Sequence, residues 1–278
     1  MAISSTHDER LRKEAEFHDR WATEIDPATT LVDETFTAVT AIENKHVMSQ
    51  FGSVKGKRVL DYGCGAGEGA VFFAKQGASV VGVDVSPGML AAAEKIAKHH
   101  GVEIETRLVT GDTVPAETNE FDFIYGNGVL HHVDLGRSKP ELARILQREG
   151  RACFIEPLEY NPVIDVYRRL AKTVRTDDEH PLSFPEIARF SSHFEVVSHE
   201  EFWLSTLAIF LKFFAIDRVD PRVERYWKKV YTDAREIGPL FSKLHALDQA
   251  LMPRLPLLRY LCWNTVISVS LPRKPAGG

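Results

Sequence analysis

The sequence predicts an α/β fold built on a parallel sheet, and three observations predict it. Short apolar runs alternate with helical stretches from Lys57 to Glu156. The first run, Val59-Leu60, ends in Asp61 and breaks into a glycine-rich turn at Gly63, Gly65 and Gly67. Later runs end the same way, in an acid or in glycine: Asp84, Gly111-Asp112 and Gly126-Asn127-Gly128. Alternating strand and helix patterns imply parallel strands joined by helical crossovers. In such sheets ligands bind at the carboxyl ends of the strands, where these polar residues fall.

The elements follow in order. Residues 8–50 read as helical, with Phe17 and Trp21 four apart on one face, and Met1 to Lys13 reads as a polar, fraying start. Arg58–Tyr62 is the first strand and Glu68–Gln76 the first crossover helix. Ser79–Val83 is the second strand; Ser86-Pro87 then reads as an N-cap and first helical residue before Met89–Lys98. Strands are expected at Ile104–Val109, Phe121–Gly126 and Arg151–Glu156, with a helix over Lys139–Leu146. Gly77, Gly101 and Gly150 sit where helices end in a left-handed residue. Beyond Pro157 come a helix carrying Val163, Ile164, Val166, Tyr167 and Leu170, and a loop at Thr176. A second short helix opens at Ser183, and a sixth strand lies near Phe194–Ser198. Thr265–Leu271 is the last strand-like run.

The spacing of the first turn is Gly-x-Gly-x-Gly, which differs from the Gly-x-Gly-x-x-Gly of dinucleotide enzymes. Asp61 would repel a phosphate and suits a ligand with a cationic amino group. Asp84, about 20 residues on at the second strand tip, is placed for ribose hydroxyls. Composition narrows the field further. The 278 residues are 44% hydrophobic and 26% charged with a net charge of −5, so no broad basic field favours nucleic acid. Three irregularly spaced cysteines, Cys64, Cys153 and Cys262, fit neither a disulfide framework nor a zinc site, and agree with a reducing cytoplasm.

Asp61-Tyr-Gly-Cys-Gly-Ala-Gly, Val83-Asp84-Val-Ser-Pro-Gly-Met-Leu, Gly111-Asp112 and Asn127-Gly-Val-Leu-His-His together resemble the class I S-adenosylmethionine (SAM) dependent methyltransferases. The resemblance covers roughly residues 45–160 and is nearest the branch with ubiquinone and menaquinone biosynthesis enzymes and small-molecule O-methyltransferases. It implies a Rossmann-like seven-stranded, mostly parallel sheet whose last strand is antiparallel. It also implies SAM as cofactor, held by Asp61, Gly63, Cys64, Gly65 and Gly67 at the methionine end. Asp84 would take the ribose, with Val85 beside the adenine. Asp112 and Thr113 would flank the adenine amino group, and Asn127 and Val129 the sulfonium. N-terminal helices would close as a lid, so Phe17, His18 and Trp21 are candidates to line the site, against simple packing.

Family members join the last two strands by a short turn, but here about 60 residues intervene, Glu200 to Trp263. Phe202–Ile216 is almost continuously apolar, Arg222–Ile237 is amphipathic, and Leu240, Leu244, Leu247 and Leu251 recur at helical spacing. The apolar run of 15 residues falls short of the roughly 20 a membrane span needs. A helical cap is expected, with three roles open: burying its own face, walling an acceptor pocket through Phe210, Phe213 and Phe214, or touching a membrane surface. The chain thus divides into lid helices (1–50), a SAM-binding domain (51–199), the cap (200–263), and a final strand and tail (264–278).

For chemistry, His131 and His132 stand where the fourth strand delivers residues, and one could take an acceptor proton. The alternative is that they only orient the loop. Glu156 ends the fifth strand facing the same cleft; Glu179 and His180 are further loop candidates. Arg168, Arg169, Lys172 and Arg175 form a basic face able to hold an anionic acceptor. The motifs of DNA amino-methylating and cytosine C5 enzymes are absent, and Asp134 alone makes no metal cluster, so no metal is expected. The reading is methyl transfer to a small, largely apolar metabolite at oxygen. Its rivals are carbon methylation of a quinone, isoprenoid or lipid acceptor, a SAM-binding regulatory protein without turnover, and an NAD-linked oxidoreductase. Homo-oligomerisation is left open.

Overall fold

Strand segments rich in Val and Ile, bounded by charged or glycine residues, form one seven-stranded sheet in the order β3-β2-β1-β4-β5-β7-β6. The computed structural model describes residues 2–110, 113–170 and 180–272. The strands are β1 (Arg58–Tyr62), β2 (Ser79–Asp84), β3 (Glu105–Leu108), β4 (Phe121–Asn127), β5 (Leu146–Pro157), β6 (Phe194–Phe202) and β7 (Asn264–Pro272). β1 to β5 run parallel, and β7 lies antiparallel between β5 and β6. Strand order reverses between β1 and β4, which opens a crevice at their carboxyl ends. Central strands are covered on both faces, so β1 and β2 read as apolar runs rather than as alternation.

The helices are α1 (Ala2–Ala22), α2 (Glu34–Thr37), α3 (Ile42–Phe51), α4 (Glu68–Lys75), α5 (Pro87–His99), α6 (Leu135–Ile145), α7 (Pro162–Leu170) and α8 (Phe184–Ser191). The insert supplies α9 (Ala208–Leu211), α10 (Tyr226–Thr232) and α11 (Ala234–Leu251). Local chemistry starts several of them. The Ser86 hydroxyl accepts from the Met89 N–H, and Ser183 with Glu186 forms a full capping box on α8.

Four expectations are corrected. The helical stretch at 8–50 breaks between α1 and α3, because Asp26 and Pro27 start turns there, and α1 reaches back to Ala2. Gly77 and Gly101 are left-handed, but Gly150 lies inside β5. A Cβ on Gly150 would come within 2.8 Å of the Asp122 carbonyl oxygen, so it serves close packing. The insert begins at Trp203, since β6 runs on to Phe202. The leucine stripe of α11 is not its buried face: Leu240 and Leu247 are exposed, while Ile237, Phe241 and Asp248 are buried.

The insert is not a separate lobe. Trp203, Phe210, Phe213, Tyr226, Phe241 and Trp263 share one apolar cluster with Tyr125, Ile155 and Val266 of the sheet. Its two ends meet, since Phe202 pairs with Asn264 across β6 and β7. Glu43 of α3 holds both: its Oε1 accepts from the Trp203 indole N–H (2.6 Å) and the Asn264 amide (2.9 Å). Inside the insert, the buried Asp248 carboxylate accepts from the Ser205 and Thr206 N–H groups and the Thr206 hydroxyl. Among the described residues no helix is long and apolar enough to cross a membrane. Replacing Asp248→Ala strands those donors. We expect a loss of roughly 3 kcal/mol, the scale of buried donors left without a charged acceptor. Differential scanning calorimetry should show Tm falling by several degrees; an unchanged Tm would refute this account of the insert.

Candidate active site

The glycine turn is shaped by contacts only glycine permits. Gly63 has φ +69°, and a Cβ there would sit 2.4 Å from Val129 Cγ2. That closeness brings the β1 turn against the turn that follows β4. The Cys64 N–H donates to the Val83 carbonyl (2.9 Å), and the Gly65 N–H to Asp84 Oδ2 (2.9 Å). Asp84 Oδ1 accepts from the Ser86 N–H (2.9 Å). Both oxygens of Asp84 thus brace the turn, and the side chain stays half-buried at its edge.

Three carboxyls gather here. Asp61 is 2% exposed, and burial pushes it up to about 8, with Glu68 and Asp84 pushing the same way against the Ala70 N–H. Burial also raises Glu68 and Asp84. Lys228 of α10 pulls Glu68 the other way, acting from the insert. Carboxyls held out of water beside one another favour a cationic ligand and disfavour a pyrophosphate. A ligand with an ammonium and a sulfonium meets that demand, so the residues present fit SAM.

Helix α1, the expected lid, packs against the start of α5 at this edge. Asp19 Oδ1 accepts from the Ser86 hydroxyl (2.6 Å) and the Gly88 N–H (2.8 Å). A Cβ on Gly88 would lie 2.8 Å from that oxygen, so only glycine admits the helix so near. The His18 ring bonds Glu14 (2.9 Å), and its buried Nδ1 has no partner among the described residues. Trp21 packs edge-on to Trp227 and lies under the Arg225 guanidinium at 3.7 Å. Half-buried Phe17 meets the His18 ring edge-on. The insert therefore reaches the glycine-turn side as well as the far side. Glu14, Asp19 and Lys228 carried no local signal in the sequence.

His131 and His132 have unequal settings. His131 is buried and its Nδ1 lies 2.7 Å from Glu156 Oε2. Glu156 Oε1 accepts from the Val129 (3.0 Å) and Leu130 (2.7 Å) N–H groups. Burial pushes Glu156 up to about 8 against those donors. Glu156 does not face an open cleft as expected; it is wholly buried and fixes the turn after β4. His132 Nδ1 lies 3.3 Å from Glu14 of the lid, and the two imidazoles are 4.1 Å apart.

The remaining candidates disperse. Asn127 is exposed, Val129 and Val85 are half-buried, and Thr113 is exposed. Gly111, Asp112, Lys172, Arg175 and Glu179 lie outside the described residues. Phe210 and Phe213 are core residues of the insert, packed on Tyr226, and Phe214 points to solvent at 54% exposure. The helix thus turns Phe210 and Phe213 into the core and Phe214 away from it. His180 lies 3.3 Å from Glu186, on a cleft of about 460 Å³ between α6 and α8 whose lining includes no glycine-turn residue. Among the described residues no three or more His, Cys, Asp or Glu side chains group as metal ligands.

Residues 60–154 match the family model described as a methyltransferase domain. The chain is similar to the ubiquinone biosynthesis O-methyltransferase of Dinoroseobacter shibae, 34% identical over 108 residues, 39% of this chain and 44% of that protein. It is also similar to the uncharacterized methyltransferase YcgJ of Bacillus subtilis, 32% identical over 113 residues, 40% of this chain and 45% of that one. The chain spans about half the length of the curated relatives it matches. In three dimensions it resembles the geranyl diphosphate C-methyltransferase of Streptomyces coelicolor, with a TM-score of 0.57 and 15% identity over 83% of this chain and 79% of that one. The segment matched by the family model runs from β1 into β5, and the insert packs on the same sheet.

Proposed function

We propose that the protein is a SAM-dependent methyltransferase that acts on a small, largely apolar metabolite at oxygen. The observation that carries this reading is the glycine turn after β1, with buried Asp61 before it, half-buried Glu68 at the start of α4 and half-buried Asp84 at the end of β2, whose Oδ2 accepts from the Gly65 N–H; burial raises all three carboxyls. The sulfonium supplies an already activated methyl group, so the protein's task is mainly alignment. Asp61 holds the ammonium end, Asp84 accepts from ribose hydroxyls, and the His18 Nδ1 in the lid meets a ligand polar atom. Oxygen as the acceptor atom rests on the O-methyltransferase relatives; the C-methyltransferase neighbour leaves carbon as the second reading.

The sign of the pH effect follows from Asp61. Its proton is held to about pH 8 in the free protein. A cationic ligand favours the ionised form, so binding releases that proton and affinity rises toward pH 8. Asp61→Asn should bind SAM roughly 10- to 100-fold more weakly, the scale of a lost charged partner, and lose that share of the pH slope. Calorimetry across pH 6–9 checks it. Equal affinity and slope in the variant would sink the assignment.

His132 is the proposed acceptor-side base, paired with Glu14 of the lid, and Glu156 with His131 is a positioning pair. His132→Ala should lower turnover at least tenfold with SAM affinity nearly unchanged, within the range of general base catalysis. His131→Ala should disturb the turn and weaken SAM as well. Matching small effects from both would leave only the orienting role.

The outer side of the insert supports contact with a bilayer surface. Leu211, Phe214 and Ile216 are exposed there, beside exposed Val163, Val166 and Leu170 of α7. The inner faces of these elements pack together through Tyr167 and Phe210. An exposed apolar surface of this kind marks an interaction site. The protein should sediment with phosphatidylglycerol vesicles, and Phe214→Asp with Ile216→Asp should abolish it. A dimer in light scattering that depends on the same residues would replace the bilayer reading.

A further inference from the structure

The cleft of about 460 Å³ between α6 and α8 stands apart from the glycine turn and from Asp84, and it is large enough for one small molecule. Leu130, Val133, Leu135, Leu182 and Phe190 line it with apolar surface. Its walls are held in place. The Leu130 N–H donates to Glu156 (2.7 Å). The Leu182 N–H donates to the Pro157 carbonyl (2.9 Å), which ties that wall to the end of β5. Lys139 of α6 reaches across to α8, where its Nζ donates to the Arg189 carbonyl (3.2 Å).

The charges around the cleft are unevenly engaged. Its two carboxylates already have partners. Asp134 Oδ1 accepts from the Gly136 N–H (2.7 Å), and Oδ2 lies 3.7 Å from Arg137. Glu186 Oε2 accepts from the Ser183 N–H (2.9 Å) and hydroxyl (2.6 Å), and Oε1 lies 3.3 Å from His180. The cations do not have such partners. Lys139, half-buried, ion-pairs with no carboxylate among the described residues, and a carbonyl does not neutralise its charge. The Arg189 guanidinium has Glu186 Oε1 at 4.0 Å as its one carboxylate neighbour among the described residues. Two under-compensated cations thus stand at the edge of an apolar hollow.

We propose that this cleft is a second binding site, and that its ligand is a small amphipathic anion: a carboxylate or phosphate monoester on an apolar chain. The head group meets Lys139 and Arg189 through charge-assisted hydrogen bonds. The chain covers the leucine and phenylalanine surface, which a free inorganic anion would leave wet. A neutral amphiphile would leave both cations without a partner. The lining includes neither the glycine turn nor Asp84, so the site fills independently of the methyl donor.

The test is calorimetry on the full chain at low salt. Octyl phosphate is titrated below its micelle concentration, so that a free molecule rather than a lipid surface is what binds. Octanoate, 1-octanol and inorganic phosphate are compared with it. Octyl phosphate and octanoate should each bind at least about tenfold tighter than 1-octanol, the equivalent of one hydrogen bond between charged groups. Octyl phosphate should also bind at least about tenfold tighter than inorganic phosphate. Lys139→Gln keeps a donor for the Arg189 carbonyl and removes the charge. It should weaken octyl phosphate about tenfold with Tm unchanged. Arg189→Gln, at an exposed side chain, should weaken it about threefold. Arg148→Gln, an exposed cation at the start of β5, should leave it unaltered. Saturating S-adenosylhomocysteine should not displace the octyl phosphate. The proposal is overturned if octyl phosphate does not bind, or binds no better than 1-octanol or inorganic phosphate. Displacement by S-adenosylhomocysteine overturns it too, as does an affinity that Lys139→Gln and Arg189→Gln leave intact or that Arg148→Gln lowers equally. Should Lys139→Gln lower Tm, Arg189→Gln decides. If S-adenosylhomocysteine itself fails to bind, the methyltransferase reading falls, and the other arms still decide this site.

Discussion

Carboxyl groups at the carboxyl edge of the sheet must be kept out of water and still be satisfied, and much of the upper structure answers that demand. Asp84 is met by the N–H groups of Gly65 and Ser86, Glu156 by those of Val129 and Leu130, and Asp19 by the Ser86 hydroxyl and the Gly88 N–H. In each case the acceptor lies on one element and at least one donor on another. Satisfying the acid therefore fixes where one chain segment crosses another. Breaking one such contact leaves a buried group unpaired, which costs more than the net worth of the bond. Asp61 and Glu68 are different. Burial raises both, as it raises Asp84 and Glu156, but Asp61 also has Glu68 and Asp84 beside it and so gains most from a cation. The edge is thus rigid where carboxyls meet the backbone and receptive where they meet each other.

The same logic explains why the lid and the insert behave as one cover. Glu14 and Asp19 reach down from α1 to His132 and to the start of α5, while Trp21 lies against Trp227 and Arg225 of the insert. From the other side, Glu43 of α3 holds both ends of the insert. An insertion of this size could hang loosely from a hairpin. Here its aromatic face merges with the apolar cluster on one side of the sheet, so moving it would expose Phe210, Phe213 and Trp203 together. Helix α1 is held both by polar contacts, at Asp19 and Glu14, and by Trp21 packed on Trp227.

What could be read from the sequence was what is local. The glycine turn, the strand-end acids and the caps at Ser86 and Ser183 depend on residues a few positions apart, so their spacing is visible. The parallel run of strands followed from the alternation of β and α patterns, and the antiparallel last strand from the family resemblance. What escaped was decided by packing over long separations. Asp19 and Gly88 are 69 residues apart, and Glu43 and Asn264 are 221 apart; no window contains both partners. The faces of the insert helices were misjudged for a related reason. Leucines at helical spacing define a stripe, but Ile237, Phe241 and Asp248 are the residues turned toward β6 and the Trp203 wall. Likewise Phe213 and Phe214 are neighbours in sequence with opposite fates, because one faces Tyr226 and the other solvent.

Glu156 shows how position and role can separate. Its place at the end of β5 marks it as a cleft residue, and an acid beside a histidine at the methyl-transfer edge invites a catalytic assignment. Its geometry argues otherwise. Both oxygens are already engaged by Val129, Leu130 and His131, and the side chain has no exposure. A group so placed does its work through the turn it holds, keeping Val129 against Gly63 and thereby keeping the end of β4 against the glycine turn. On the proposed function, that contact sets how closely the glycine turn and the turn after β4 approach across the crevice. Alignment is the main contribution a protein makes to an in-line transfer from an activated donor. In that sense the most buried acid of the site bears on the reaction without touching it, by fixing the width of the crevice in which two reactants must meet.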